Sequence, residues 1–159
     1  MEKSYSIEVK ALLTLDNFLD APQSVLRDNC ILVTHIDYSC EFRRNDSNAV
    51  YGAVDPVIMN FSIRIGSEKK AEPFYRYLVE NGHNIFTFLY NTTFDKNDRI
   101  DTFYDGMIVD AFVVKVEQDY TTQRTGRDSD EQIMLRVKLL VRSITYLGKD
   151  KNFTSSFIQ

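Results

Sequence analysis

Glu131-Gln-Ile-Met-Leu-Arg-Val-Lys-Leu-Leu-Val-Arg-Ser-Ile-Thr-Tyr146 decides how this chain is read. Ile133, Leu135, Val137, Leu139 and Val141 recur at the two-residue period of a strand, and Arg136, Lys138 and Arg142 fall on the opposite side. The segment reads as one strand with a dry face and a basic face. Strands usually run about 5–6 residues, so this one is several times longer than an ordinary domain needs. The surplus points to a barrel wall or an assembly surface rather than a catalytic pocket.

Working outward, the same period appears in most of the chain. Ile7 to Leu15 carries Ile7, Val9, Ala11, Leu13 and Leu15 on one face. Ile31 to Arg44 reads as a second long strand, in which Ile36, Tyr38, Cys40 and Phe42 oppose Asp37, Ser39, Glu41 and Arg43. Asn45 to Ala49, with Gly52 and Pro56, reads as a loop leading to Val57–Ile65, where Val57, Met59, Phe61, Ile63 and Ile65 share a face. His83 to Asn91 is apolar on both sides, which places it centrally in a sheet. Asp105 to Tyr120 is the partner of the closing strand; Ile108, Phe112, Val114 and Val116 make one face, and Met107, Val109, Ala111 and Val113 the other. Thr121 to Asp130 reads as a long hairpin loop, Asp95 to Asp101 as a polar turn, and Lys149 to Gln159 as a polar tail.

Only one helix is expected with clear signals, between Glu68 and Gly82: Pro73 suits its first turn, Phe74, Tyr77 and Leu78 make a stripe, and Gly82 ends it. A shorter helical pattern covers Gln23 to Asp28. The predicted fold is mainly β, an antiparallel β-barrel of two packed sheets with one flanking α-helix, built as a single domain over residues 1–159.

The composition narrows the function classes. Nineteen Lys and Arg against twenty-three Asp and Glu give a net charge of −4, which offers no electrostatic reason for a nucleic-acid partner. The start of the chain has no apolar leader, and no stretch approaches the roughly 20 apolar residues of a membrane helix, so folding in the cytoplasm without membrane insertion is expected. Cys30 and Cys40 sit in or beside apolar runs and read as buried structural thiols. His35 and His83 are the only histidines and lie far apart, so neither a zinc site nor a triad is expected. Phosphate loops, dinucleotide glycines, nucleophile elbows and metalloprotease helices are all missing from the sequence. The reading is therefore of a protein that is not an enzyme and needs no cofactor. Asp95-Lys-Asn97 starts like a calcium loop, but Ile100 occupies the position of its glycine and Gly106 that of its glutamate. The aromatic set Phe86, Phe88 and Tyr90 lacks the basic and glycine neighbours of a base-stacking platform and reads as core.

Several local strings in this order resemble the tube protein of type VI secretion systems, the haemolysin-coregulated protein or Hcp, particularly its Bacteroidetes form. They are Ile36-Asp-Tyr-Ser-Cys-Glu-Phe-Arg-Arg-Asn45, Tyr51-Gly52 leading into Val57–Ile65, the single helix ending at Gly82, Thr102-Phe-Tyr-Asp-Gly-Met-Ile-Val109, and the closing strand to Tyr146. The resemblance spans about residues 31–147. It implies a ring of copies, six in this family, that stack into a tube expelled by contraction with effectors in its lumen. Sheath, spike and effector proteins are then the partners, and export needs no signal peptide. It further implies a ring-stacking role for the loop Arg44, Asn45, Asp46, Ser47, Asn48, Ala49 and Val50, and makes Arg136, Lys138 and Arg142 a candidate lumen face or plain solvent face. The stretch to Asn29, Thr121–Asp130 and Lys149–Gln159 are longer than the family pattern, and the projecting loop lacks the usual Gly-Pro pair. Two alternatives share the architecture: a barrel holding a small apolar ligand, and the tail-tube protein of a phage-like contractile particle.

Overall fold

A computed structural model describes residues 11–16, 18, 24–44, 50–53, 56–66, 71–80, 83–103, 105–125, 128–148 and 153–156. Six strands close an antiparallel barrel: β1 (Ala11–Thr14), β2 (Cys30–Ser39), β5 (Ile58–Gly66), β6 (Asn84–Tyr90), β9 (Asp105–Thr125) and β10 (Asp128–Leu147). The order around the wall is β10-β5-β2-β1-β6-β9, and β9 pairs again with β10 to complete the circuit. Two short ribbons stand apart, β3 (Phe42–Arg44) with β4 (Val50–Ala53), and β7 (Thr93–Phe94) with β8 (Ile100–Thr102). A last strand, β11 (Phe153–Ser156), pairs with β10 beyond the end of β5.

The ladders explain the long strands. A path that leaves Gln118 and crosses Leu135, Ile63, Val33, Ala11 and Tyr90 arrives back on β9 at Asp105, thirteen residues earlier. Such a stagger requires strongly tilted strands. β9 therefore serves two parts of the wall: residues 106–111 pair with both β6 and β10, and from Phe112 to Thr125, Val114 apart, the described partner is β10 alone.

Side chains fill the barrel. Met59, Phe61, Ile63 and Ile65 from β5 meet Leu135, Val137, Leu139 and Val141 from β10, as their alternation predicts. The Phe61 ring lies 5.5 Å from that of Phe86 and 5.4 Å from that of Phe88, tilted or edge-on, the arrangement that aromatic quadrupoles favour. One mouth is closed by helix α1 (Ala71–Glu80), whose Phe74 and Leu78, four residues apart on one face, enter the core. Pro73 lies in its first turn, where a missing N–H costs no helical bond. Tyr77 lies edge-on to Phe86, and its hydroxyl bonds the backbone of Ile85. The other mouth is plugged by Tyr38, Cys40, Tyr90 and Tyr146.

A second core lies outside the wall. Phe18, Val25, Ile100 and the ring of Phe94 cover Leu89, Ile108 and Leu147, so this part of β6 and β9 is buried on both faces, as the two-sided apolar pattern predicts. Gly106 is required here, because a Cβ would lie 2.9 Å from the Phe88 carbonyl oxygen.

Several expectations need correction. Ile31–Arg44 is two strands, because β2 stops at Ser39 and the chain resumes as β3. Val50–Ala53 is strand and not loop, since it pairs with β3. The polar turn at Asp95–Asp101 is the tip and second strand of the β7–β8 ribbon, with Ile100 buried and Asp98 at φ 57°. Among the described residues of Gln23–Asp28 there is no α-helix: Ser24 and Arg27–Asn29 are 3-10, and Val25 and Leu26 between them are held in extended form against Arg99 and Ile100, while Gln23 lies outside the described residues. Of the expected hairpin loop Thr121–Asp130, residues 121–125 and 128–130 are strand, because the β9–β10 ladder continues to Thr125 opposite Asp128, and residues 126–127 lie outside the described residues. The polar tail contains β11. Of the strand expected at Ile7–Leu15, Ala11–Thr14 is observed, and residues 7–10 lie outside the described residues.

Three bulges correct the reading of faces. Each inserts one residue that shifts the two-residue period: Thr34 in β2, Val114 in β9 and Arg142 in β10. The core side of β9 is thus Met107, Val109, Ala111 and Val113, then Val116, and Val114 is 55% exposed instead of sharing a face with Val116. On β10 the core side passes from Val141 to Ile144. Thr34 satisfies its displaced backbone neighbourhood by donating its hydroxyl to the Ser62 carbonyl at 3.1 Å.

Candidate assembly surface

The outer face of β9, β10, β5 and β2 carries the polar half of each alternating strand. Ladder register sets these residues in rows: Lys115, Lys138, Asn60 and Asp37 form one, and Glu117, Arg136, Ser62 and His35 the next. Lys115 stands directly opposite Lys138, a like-charge pairing that a sheet disfavours. It is relieved because the Lys115 ammonium turns along its own strand to the Glu117 carboxylate at 2.6 Å. The Arg136 guanidinium lies 2.6 Å from the Asp119 carboxylate and 3.8 Å from that of Glu117. The hydrogen bond from Lys115 is the main reason the Glu117 carboxyl stays below its usual range.

At the β2 side, His35 Nε2 lies 2.6 Å from an Asp37 oxygen, and Asn60 Nδ2 donates to the other at 3.2 Å. Those two bonds, with that of His35 first, hold the Asp37 carboxyl below the ordinary value. A shallow depression of about 570 Å³ runs across the face between His35, Lys115, Arg136 and Lys138.

Arg136, Lys138 and Arg142 are all exposed, but they do not form a basic stripe. Arg136 is neutralised by Asp119 and Glu117. Arg142 sits at its bulge with its guanidinium 5.9 Å from the centroid of the Phe112 ring. On that ring's surroundings His83 also packs, 6.0 Å away, while its Nε2 bonds the Asp110 carboxylate. Among the described residues Lys138 has no carboxylate within ion-pair distance. The face is a mixed-charge lattice. The acids that neutralise it come from β9, and only the ladder register brings them beside β10.

The proposed stacking segment is bounded by a described pair, Arg44 opposite Val50. Asn45, Asp46, Ser47, Asn48 and Ala49 lie outside the described residues. The β3–β4 ribbon continues from the end of β2, where Tyr38 and Tyr146 share a hydroxyl–hydroxyl hydrogen bond. Burial, and then that bond, push the Tyr146 phenol well above its ordinary value. Burial also raises Tyr90, with Asp105 adding to the effect.

Sequence reasoning missed the two edges of this sheet. Among the described residues, β9 from Phe112 to Thr125 has a strand partner only in β10, and β2 from Thr34 to Ser39 only in β5. The signal for the first was the length difference between the apolar run of residues 84–90 and that of residues 105–120. Cys30 is a buried thiol whose Sγ donates to the Leu26 carbonyl at 3.7 Å, and Cys40 is a partly buried thiol. Among the described residues no cluster of His, Cys, Asp and Glu has the makings of a metal site, and no helix is long and apolar enough to cross a membrane.

No protein-family model matches the chain, and no curated protein matches it in sequence. Solved structures do match in fold. The crystal structure of an Hcp protein superposes with a TM-score of 0.56 at 10% identity, covering 96% of this chain and 99% of the other. Hcp1 from E. coli EAEC 042 gives 0.52 at 18% identity, covering 96% and 99%. A structure described as a type six secretion system protein gives 0.51 at 10% identity, covering 93% and 95%. At such identities the likeness is one of fold, and this chain has the Hcp fold: a closed six-stranded antiparallel barrel with one helix.

Proposed function

We infer that this chain is the building block of a tube, in which copies join side by side into a ring and rings stack along the barrel axis. One observation carries the reading: among the described residues, the sheet β9-β10-β5-β2 has edges without a further strand partner on opposite sides, at Phe112–Thr125 and Thr34–Ser39. An unpaired edge is a template for another strand. When the two edges of one sheet differ, the contact between copies is heterologous, and a rotation that closes gives a ring. The charged outer face with Arg136 and Lys138 then lines the lumen.

The system best suited to such a tube is type VI secretion. The resemblance of the strings around Tyr38–Asn45 and Thr102–Val109 to Hcp, and the Hcp fold itself, support it. In that setting the ring has six copies, the tube is made in the cytoplasm and leaves by contraction, and sheath, spike and effector proteins are its partners. The packed interior around Phe61, Phe86 and Phe88 weighs against a small-ligand barrel, which would need a void there.

Sedimentation velocity and negative-stain electron microscopy of the concentrated chain test the reading. Rings with a central hole, alone or stacked, are expected. A monomer at every concentration would contradict it.

A further inference from the structure

Met134 is a thioether on the polar face of β10. Leu135 enters the core and Ile133 packs against it, so alternation sets Met134 outside with Arg136 and Lys138, opposite Asp119 on β9 and Arg64 on β5. The other sulfurs of the described residues are shielded. Met59 is fully buried and Met107 is 5% exposed. Cys30 is buried, with its Sγ donating to the Leu26 carbonyl. Burial raises the Cys40 thiol above its ordinary value, which lowers its share of reactive thiolate. A thioether needs no deprotonation to be oxidised, so the half-buried Met134 is the sulfur that a peroxide attacks first.

The Met134 sulfur also touches the bulge of β2. Thr34 Oγ1 lies 3.7 Å from Met134 Sδ and donates to the Ser62 carbonyl at 3.1 Å. One hydroxyl has one proton, and a thioether is a weak acceptor, so the carbonyl holds that proton. The bond fastens the place where the register steps from Val33 opposite Ile63 to His35 opposite Ser62, at the root of the edge Thr34–Ser39. We propose that Met134 is an oxidation site that controls the order of this edge. Hydrogen peroxide transfers one oxygen to the sulfur: the O–O bond breaks, an S–O bond forms, and the released hydroxide takes up a proton to give water. The sulfur loses the two electrons that the peroxide gains, and methionine sulfoxide reductases reverse the change. The sulfoxide oxygen is a far stronger acceptor than the thioether, so the Thr34 hydroxyl turns to it from Ser62 and the bulge loosens. The site stands on the geometry of the single chain; its effect on assembly rests on the tube reading, in which copies join through this edge.

The test treats the full chain with dilute hydrogen peroxide and maps the added oxygen by peptide mass spectrometry. Met134 should take up oxygen at least about tenfold faster than Met59 and Met107. Amide exchange of the β2 segment Thr34–Ser39 should then speed up and return to its starting rate after reductase treatment. Met134→Leu, close to methionine in volume, should show no response to peroxide, and Thr34→Val should exchange fast from the outset and change no further. Rings counted by electron microscopy should fall in number on oxidation. Met59 or Met107 oxidised as fast as Met134 would overturn the site, and unchanged exchange in a fully oxidised sample would overturn its link to the edge. Rings undiminished by oxidation would overturn its control of assembly. A chain that forms no rings before oxidation would contradict the tube reading alone, because mapping and exchange on the monomer still decide the site.

Discussion

Val114 on β9 is the residue that the ladder skips: Lys138 pairs with Lys115 and Leu139 with Val113, so Val114 bulges outward between Leu139 and its neighbour. Across that one residue, Val113 lies on the core side below the bulge and Val116 on the core side above it. Deleting Val114 removes the bulge and leaves Lys138 opposite Lys115 and Leu139 opposite Val113 as consecutive pairs, so Val113 and Val116 keep the core side and Lys115 the outer side. The deletion should leave the protein folded by near-ultraviolet circular dichroism, and Val114→Thr, at a largely exposed position, should change stability by within about 0.5 kcal/mol. An insoluble or molten deletion variant would contradict the account of this strand.

Phe61 is the centre of the barrel core, fully buried between Phe86 and Phe88. Phe61→Ala should cost about 3–5 kcal/mol in urea unfolding. A loss below about 1 kcal/mol would mean the barrel interior collapses freely or is not packed as described.

Gly106 touches backbone and not only flexible side chains. A methyl group there meets the Phe88 carbonyl oxygen at 2.9 Å and Leu147 and Leu89 at 3.1 Å. Gly106→Ala should therefore destabilise the fold by about 1–3 kcal/mol, the cost of overpacking a tight site, although alanine is ordinarily at least as good as glycine in a strand. Thermal melts of the variant read this directly.

Asp37 ties pH to the polar face. Its carboxyl is held below its ordinary value by the bonds from His35 and Asn60. A group with a lowered folded pKa stabilises above its unfolded value, about 3.9 for Asp, and loses that contribution as pH falls through the folded value. Carboxyl titration by nuclear magnetic resonance should find the Asp37 midpoint below about 3.9, and His35→Ala should move it upward. An unchanged midpoint in the variant would show that His35 does not hold the carboxylate.

Much of this fold is written in the alternation of the strands. The β5 face of Val57, Met59, Phe61, Ile63 and Ile65, the β10 face up to Val141 and the two-sided burial of β6 all follow from hydrophobic period alone. The period fails where an inserted residue changes its phase, at Thr34, Val114 and Arg142, because a bulge leaves no compositional mark on a strand rich in Val, Thr and Arg. Short ribbons such as β7–β8 and the strand β11 are polar along most of their length and hide among turn residues. The charge of the outer face is likewise a product of register: Arg136 looks like part of a basic stripe until Asp119 and Glu117 are placed across from it.

The edge of β9 beyond Ala111, which among the described residues pairs only with β10, is the centre of the functional reading, and amide hydrogen exchange measures it residue by residue. The chain is compared dilute and concentrated, with the β9 amides from Val113 to Thr125 followed. If copies join through this edge, the amides of this segment that do not bond β10 should gain protection as rings form, while the already paired amides of β6 and β5 change little. Exchange along Val113–Thr125 that stays fast and identical in the two samples, with rings present in the concentrated one, would contradict the claim that β9 joins the copies.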